Sequence, residues 1–146
     1  MNIEFICQKE QPIFADDSCH VACLLMLLKH INFSPLPSYK GLCQFFDLSD
    51  SRNLSPDAAT ADIVRFIVRH NLNFRILFRK EDWEDTLKTA PIMAAMYGGT
   101  RFWGLGGHMI ILTQLKDGVF AYLDPWFSAS TNRHLKTIGM EERRSL

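Results

Sequence analysis

The sequence predicts an α+β domain in which helices come first and an antiparallel sheet follows. Three observations carry this. Helical spacing of apolar residues runs through 18–31 and 56–70, β-prone runs take over from residue 74, and Lys116-Asp117-Gly118 separates two such runs as a hairpin turn. At 146 residues and 47% hydrophobic, the chain suffices for one well-buried core and is short for two. A single domain over 1–146 is expected.

From Ser18 to Ile31 the residues Val21, Ala22, Leu24, Leu25, Met26, Leu27 and Leu28 dominate. Asp17 or Ser18 supplies an N-cap, and Lys29-His30 sit where cations suit the helix dipole. A helix apolar nearly all round is a buried one. Phe33-Ser34-Pro35-Leu36-Pro37 stops it, and Leu42 to Phe46 forms a short second helix. Ser55-Pro56-Asp57 starts a third, which runs to His70 with Ile63, Phe66 and Ile67 on one face and closes at Asn71. Phe74 to Phe78 reads as a strand, Glu81 to Leu87 as a short helix and Pro91 to Tyr97 as a buried strand. Met109 to Leu115 and Val119 to Leu123 are the hairpin arms. The polar tail from Ser128 to Leu146 is expected to hold one helix around Arg133 to Arg143.

Sixteen basic residues balance sixteen acidic ones without a long single-sign block, so nucleic acid and anionic membranes are not the expected partners. The first nine residues lack a basic leader followed by an apolar run, which predicts a chain that starts in the cytoplasm, used there or delivered by a secretion machine that needs no cleavable signal. The apolar stretch from Val21 to Leu28 falls far below the roughly 20 residues of a membrane-spanning helix. Cys7, Cys19, Cys23 and Cys43 are expected as reduced thiols, because the chain is too long and apolar for a disulfide-stapled miniprotein. No second Cys/His pair completes a zinc knuckle with Cys19-His20 and Cys23, so neither a metal nor another cofactor is expected.

The chemistry lies in three segments in order: Asp17-Ser18-Cys19-His20-Val21-Ala22-Cys23, Gly106-Gly107-His108-Met109-Ile110, and Leu123-Asp124-Pro125-Trp126. A thiol in the first turn of a helix faces unpaired backbone N–H groups and the positive end of the dipole, which favour the thiolate. His108 opens one hairpin arm and Asp124 closes the other, so the hairpin brings them side by side, where a carboxylate fixes the imidazole tautomer. Each residue has a bland explanation alone: a buried structural Cys, a surface His, an Asp-Pro strand stop. Cys23, inside the apolar run, takes that structural role. The conjunction points to a thiolate–imidazolium nucleophile oriented by a carboxylate.

These residues, with Asp-Ser-Cys-x-x-Ala-Cys-Leu-x-Met-Leu at 17–27, Pro91-Ile92-Met93-Ala94, Gly107-His108 and Asp124-Pro125, resemble the papain-like peptidases that process double-glycine leader peptides. Such domains occur at the N-termini of bacteriocin-exporting ABC transporters and as free-standing relatives. Asp124-Pro125-Trp126 is also similar to papain-fold bacterial effector proteases. The resemblance covers about residues 8 to 127. It implies a papain-like fold with Cys19 as nucleophile, His108 as general base and then acid, and Asp124 as orienter. It also implies an oxyanion hole in which a glutamine amide joins the nucleophile's N–H; Gln11 is the choice here, with Gln8 the other candidate. Two departures stand out. His20 replaces the usual Gly or Trp after the nucleophile, where it would crowd the cleft or add a second titrating group, and no transporter segments accompany the domain.

The segment Gly98 to Gly107 lacks the strand–GxGxxG–helix setting of a phosphate site. It reads as a loop before the catalytic His, with Phe102, Trp103 and Gly107 lining the substrate groove, or else as a plain surface loop. Trp126 shields the His–Asp pair from water. The expected activity is hydrolysis of a peptide amide through a Cys19 acyl-enzyme, on a peptide or protein substrate. A glutamine deamidase or transglutaminase-like effector on the same fold, a non-catalytic peptide-binding relative and a structural domain are the alternatives.

Overall fold

Helix α1 (Cys19–His30) takes up the near-continuous apolar run and buries it on all sides, with Val21, Ala22, Cys23 and Met26 fully inaccessible. The computed structural model describes residues 1–48, 56–77, 79–96, 108–127 and 133–136. A 3-10 turn at Gln8–Glu10 precedes α1. Helices α2 (Tyr39–Phe45), α3 (Pro56–Arg69) and α4 (Lys80–Thr86) follow, and then strands β1 (Ile92–Met96), β2 (His108–Lys116), β3 (Val119–Leu123) and β4 (Arg133–Lys136). The fold is α+β, with one antiparallel four-stranded sheet in the order β1-β2-β3-β4.

Helices α1, α2 and α3 each end at a polar residue in the left-handed region: Asn32 (φ 54°), Asp47 (φ 53°) and Asn71 (φ 51°). Asn and Asp tolerate that conformation. In each case the next residue's N–H turns back onto the helix, Phe33 to Leu28, Leu48 to Cys43 and Leu72 to Ile67, satisfying carbonyls that would otherwise be orphaned. Asn32, rather than the proline segment after it, stops α1.

The sheet is covered on both faces. One face contributes Met109 and Ile111 to a core with α1, α2 and α3; the other packs Ile92, Ala94, Ile110, Leu112, Phe120 and Tyr122 against Leu77, Trp83 and Leu87. Double coverage explains why β1 and β2 read as continuous apolar runs and not as alternating ones.

The hairpin turn has Asp117 and Gly118 both at positive φ, 52° and 73°. This suits the right-handed twist of the arms. The arms do not run in simple register. Lys116, Leu115 and Gln114 face Val119, Phe120 and Ala121, whereas Leu112 and Ile111 face Tyr122 and Leu123. Thr113 is therefore an extra residue, a β-bulge whose Oγ1 donates to the Ala121 carbonyl at 3.2 Å.

Two elements differ from expectation. Residues 72–77 carry no regular secondary structure, and Phe74 and Ile76 are exposed; an alternating pattern makes a strand only where an edge pairs with it. Arg133–Lys136 is strand β4 and not the start of a helix, because the open edge of β3 supplies its backbone partners. The rest of that expected helix, 137–143, lies outside the described residues. Of the described helices, none is long and apolar enough to cross a membrane.

Candidate active site

Cys19 is the first residue of α1 and half-buried, while both neighbours, Ser18 and His20, are fully buried. The helix is set against β2 one turn further on, where the Cys23 thiol donates to the Met109 carbonyl at 3.5 Å. Met109 adjoins His108, so the same contact brings the start of α1 to the start of β2.

His108 bridges the other two groups. Its Nε2 lies 2.6 Å from Asp124 Oδ1, and the Cys19 side chain is close enough to help raise the imidazole's pKa. His108 is 8% and Asp124 3% exposed, so the pair lies in a low-dielectric setting where such bonds are strong. Asp124 Oδ1 also accepts the Trp126 N–H at 3.0 Å, which fixes the carboxylate against its own backbone. Its Oδ2 is buried with no hydrogen-bond partner among the described residues.

The bulge at Thr113 makes this pairing possible. In an unbroken two-residue hairpin His108 stands opposite residue 127, and Asp124, three residues away, projects to the other face. One extra residue in β2 shifts the register by one, and continued past Ile111–Leu123, where the pairing ends, that register places Asp124 on the face of His108. The two expected neighbours meet, by a register that the Asp-Gly turn alone does not produce.

Burial alone would lower the His108 pKa, but the hydrogen bonds to Asp124 and Cys19 outweigh it and raise it to about 9. The folded value exceeds the ordinary 6.5, so the linked stability is full below pH 6.5 and lost as pH rises through about 9. Chemical denaturation from pH 6 to 10 is expected to show this decline, and Asp124→Asn to flatten it; an equally steep decline in that variant would assign it to other groups. The remaining thiols differ. Burial, followed by the nearby charges of Cys19 and Asp124, raises the Cys23 pKa, and burial pushes Cys43 up to about 11. Neither is poised as a nucleophile.

Of the two glutamines, Gln11 directs its amide to the Cys7 carbonyl at 3.2 Å and remains half-buried. Gln8 is fully buried: its backbone N–H donates to the Pro125 carbonyl at 2.8 Å and its amide to Ala15 at 3.0 Å. The second amide proton of Gln8 is not used by that bond. The structure thus ties Gln8, and not Gln11, to the segment that carries Asp124.

His20 does not crowd the cleft. It is inaccessible, stacked on Phe46 with ring centroids 5.2 Å apart and 4.0 Å from Asp62 of α3. Successive helical residues point about 100° apart, so a Cys facing β2 sends the next side chain towards the other helices. Trp126 is 42% exposed, and Lys9 lies 4.3 Å above its ring. Phe102, Trp103 and Gly107, the expected groove residues, lie outside the described residues. Among the described residues no cluster of three or more metal-ligating side chains occurs. No protein-family model, curated protein or solved structure matches the chain significantly.

Proposed function

We propose that this chain is a papain-like cysteine peptidase in which Cys19 attacks a peptide carbonyl, forms an acyl-enzyme and releases it to water. One observation carries the reading: a buried imidazole held by a carboxylate at 2.6 Å, next to a thiol at a helix N-terminus whose nearness helps raise the imidazole's pKa. A nucleophile, a base and an orienter in a row, brought from three separate elements, are the parts thiol acyl transfer requires. A His108 pKa of about 9 favours the imidazolium at neutral pH, poised to give its proton to the leaving amine. The Cys19 N–H at the helix start and the spare amide proton of Gln8 are the groups to bind the tetrahedral oxyanion. The α+β order, with a buried nucleophile helix against an antiparallel sheet, suits a papain-like fold.

Iodoacetamide labelling of all four cysteines against pH, mapped by mass spectrometry, tests this without a substrate. At pH 6 Cys19 is expected to label at least about tenfold faster than Cys7, Cys23 and Cys43, and His108→Ala to abolish the difference. Cys19 labelling no faster than Cys23 in both proteins would refute the nucleophile.

A further inference from the structure

We propose that the Tyr39 hydroxyl is a positioning group for the nucleophile: together with the Phe14 carbonyl it holds the Ser18 side chain off its own helix, so that the first-turn N–H groups of α1 remain directed at Cys19 instead of being capped. This rests on the reading of Cys19 as nucleophile.

Two serines in this chain occupy the same position in two helices and behave oppositely. Ser38, the N-cap of α2, has the extended backbone of a cap (φ −73°, ψ 159°) and accepts the Gly41 N–H at 2.9 Å. Ser18, the N-cap of α1, has φ −117° and ψ 27° and makes no side-chain cap bond. Its hydroxyl goes elsewhere, to the Phe14 carbonyl at 2.6 Å and the Tyr39 hydroxyl at 2.6 Å. Ser18 has one proton to give and gives it to Phe14, so Tyr39 is the donor to Ser18. The single Tyr39 proton is shared with the Ser18 carbonyl, which accepts from Tyr39 Oη at 3.2 Å.

The arrangement is buried and reinforced. Ser18 is inaccessible and Tyr39 9% exposed. Phe14 sits at φ 50°, unusual for a large side chain, and its carbonyl also accepts the Asp17 N–H at 3.1 Å. The chain is thus bent back to present an acceptor that draws Ser18 away from α1. The titratable groups around the relay are Cys19 and Cys23 of α1 and Cys43 of α2. Beyond Cys19 stand His108 of β2 with Asp124 after β3, and behind His20 stands Asp62 of α3. Burial pushes the Tyr39 phenol upward, so it stays a donor across the working range.

An uncapped first turn keeps its positive end for the thiolate; a capped one shares it with a hydroxyl. The test is the rate and pH profile of Cys19 iodoacetamide labelling in wild type, Ser18→Ala, Tyr39→Phe and the double variant. In Tyr39→Phe the Ser18 hydroxyl loses one of its two anchors and is expected to turn onto α1 as a cap, with labelling at pH 6 falling about threefold and the profile displaced to higher pH. Ser18→Ala and the double variant have no hydroxyl to cap with and keep the wild-type rate, whatever they lose in melting temperature. A merely structural contact would lower melting temperatures without this split. Tyr39→Phe labelling like wild type, or a fall in Ser18→Ala matching it, would overturn the proposal. Should Tyr39→Phe not fold, the Ser18→Ala rate decides: unchanged supports the proposal and reduced overturns it. Wild-type Cys19 no faster than Cys23 would instead remove the nucleophile on which the proposal stands.

Discussion

Cys19→Ala is expected to reduce turnover of any amide substrate of the wild type to background, a loss on the order of 10⁶-fold, because no other described thiol is placed to attack. Cys23 spends its proton on the Met109 carbonyl, and Cys7 and Cys43 are buried. His108→Ala is expected to match it, since a nucleophile and its base act as a unit and their effects do not add. Asp124→Asn is expected to cost roughly 10³- to 10⁴-fold, the scale seen when an imidazole keeps its place but loses its tautomer. That variant retains the shape of the Oδ1 acceptor while removing the charge that holds His108 up at about 9. Product release followed by mass spectrometry checks the series. More than a few per cent activity in Cys19→Ala would exclude an acyl-enzyme on this residue. Equal activity in Asp124→Asn and wild type would reduce the 2.6 Å contact to a structural one.

The second large effect lies behind the site. Phe46→Ala is expected to destabilise the fold by about 3–5 kcal/mol, measured by chemical denaturation. Phe46 is fully buried, and its ring meets His20 at 5.2 Å, Phe45 at 5.4 Å and Phe66 at 6.5 Å, so it joins α1, the end of α2 and α3. Truncation leaves a cavity whose walls belong to three elements and cannot all close in. The loss is a large share of the roughly 5–15 kcal/mol typical of a whole domain. It also removes the ring on which His20 rests, next to Cys19 in the chain. A cost below about 1 kcal/mol would mean that the aromatic cluster collapses freely and does not act as a joint.

The legible parts of the fold were those whose information is local. The apolar run after Cys19 names a buried helix whatever surrounds it, and Asp117-Gly118 between two β-prone runs names a hairpin wherever it packs. Phe74-Arg75-Ile76 carries the same alternation as a strand but finds no edge, and Arg133–Lys136 carries little alternation but finds one. Pairing is a property of the neighbour, and no window on the chain contains the neighbour. The site divides likewise. Cys19, His108 and Asp124 were readable as types in order, and the structure brings the three together. The inward burial of His20 and the diversion of Ser18 were not readable, because each depends on a turn or a helix face set by packing.

The bulge at Thr113 makes the site a matter of counting as well as of chemistry. A sheet has two faces, so the segment between His108 and Asp124 stores one bit, odd or even, and Thr113 sets it. Two chains with the same Cys, His and Asp are equivalent here only if that parity agrees. Length can vary freely at the Asp117-Gly118 tip, where arms grow or shorten in matched pairs, but not singly between the bulge and the site. Recognition of such a site in other sequences therefore calls for matching spacing modulo two along the hairpin, a criterion that residue identity by itself does not contain.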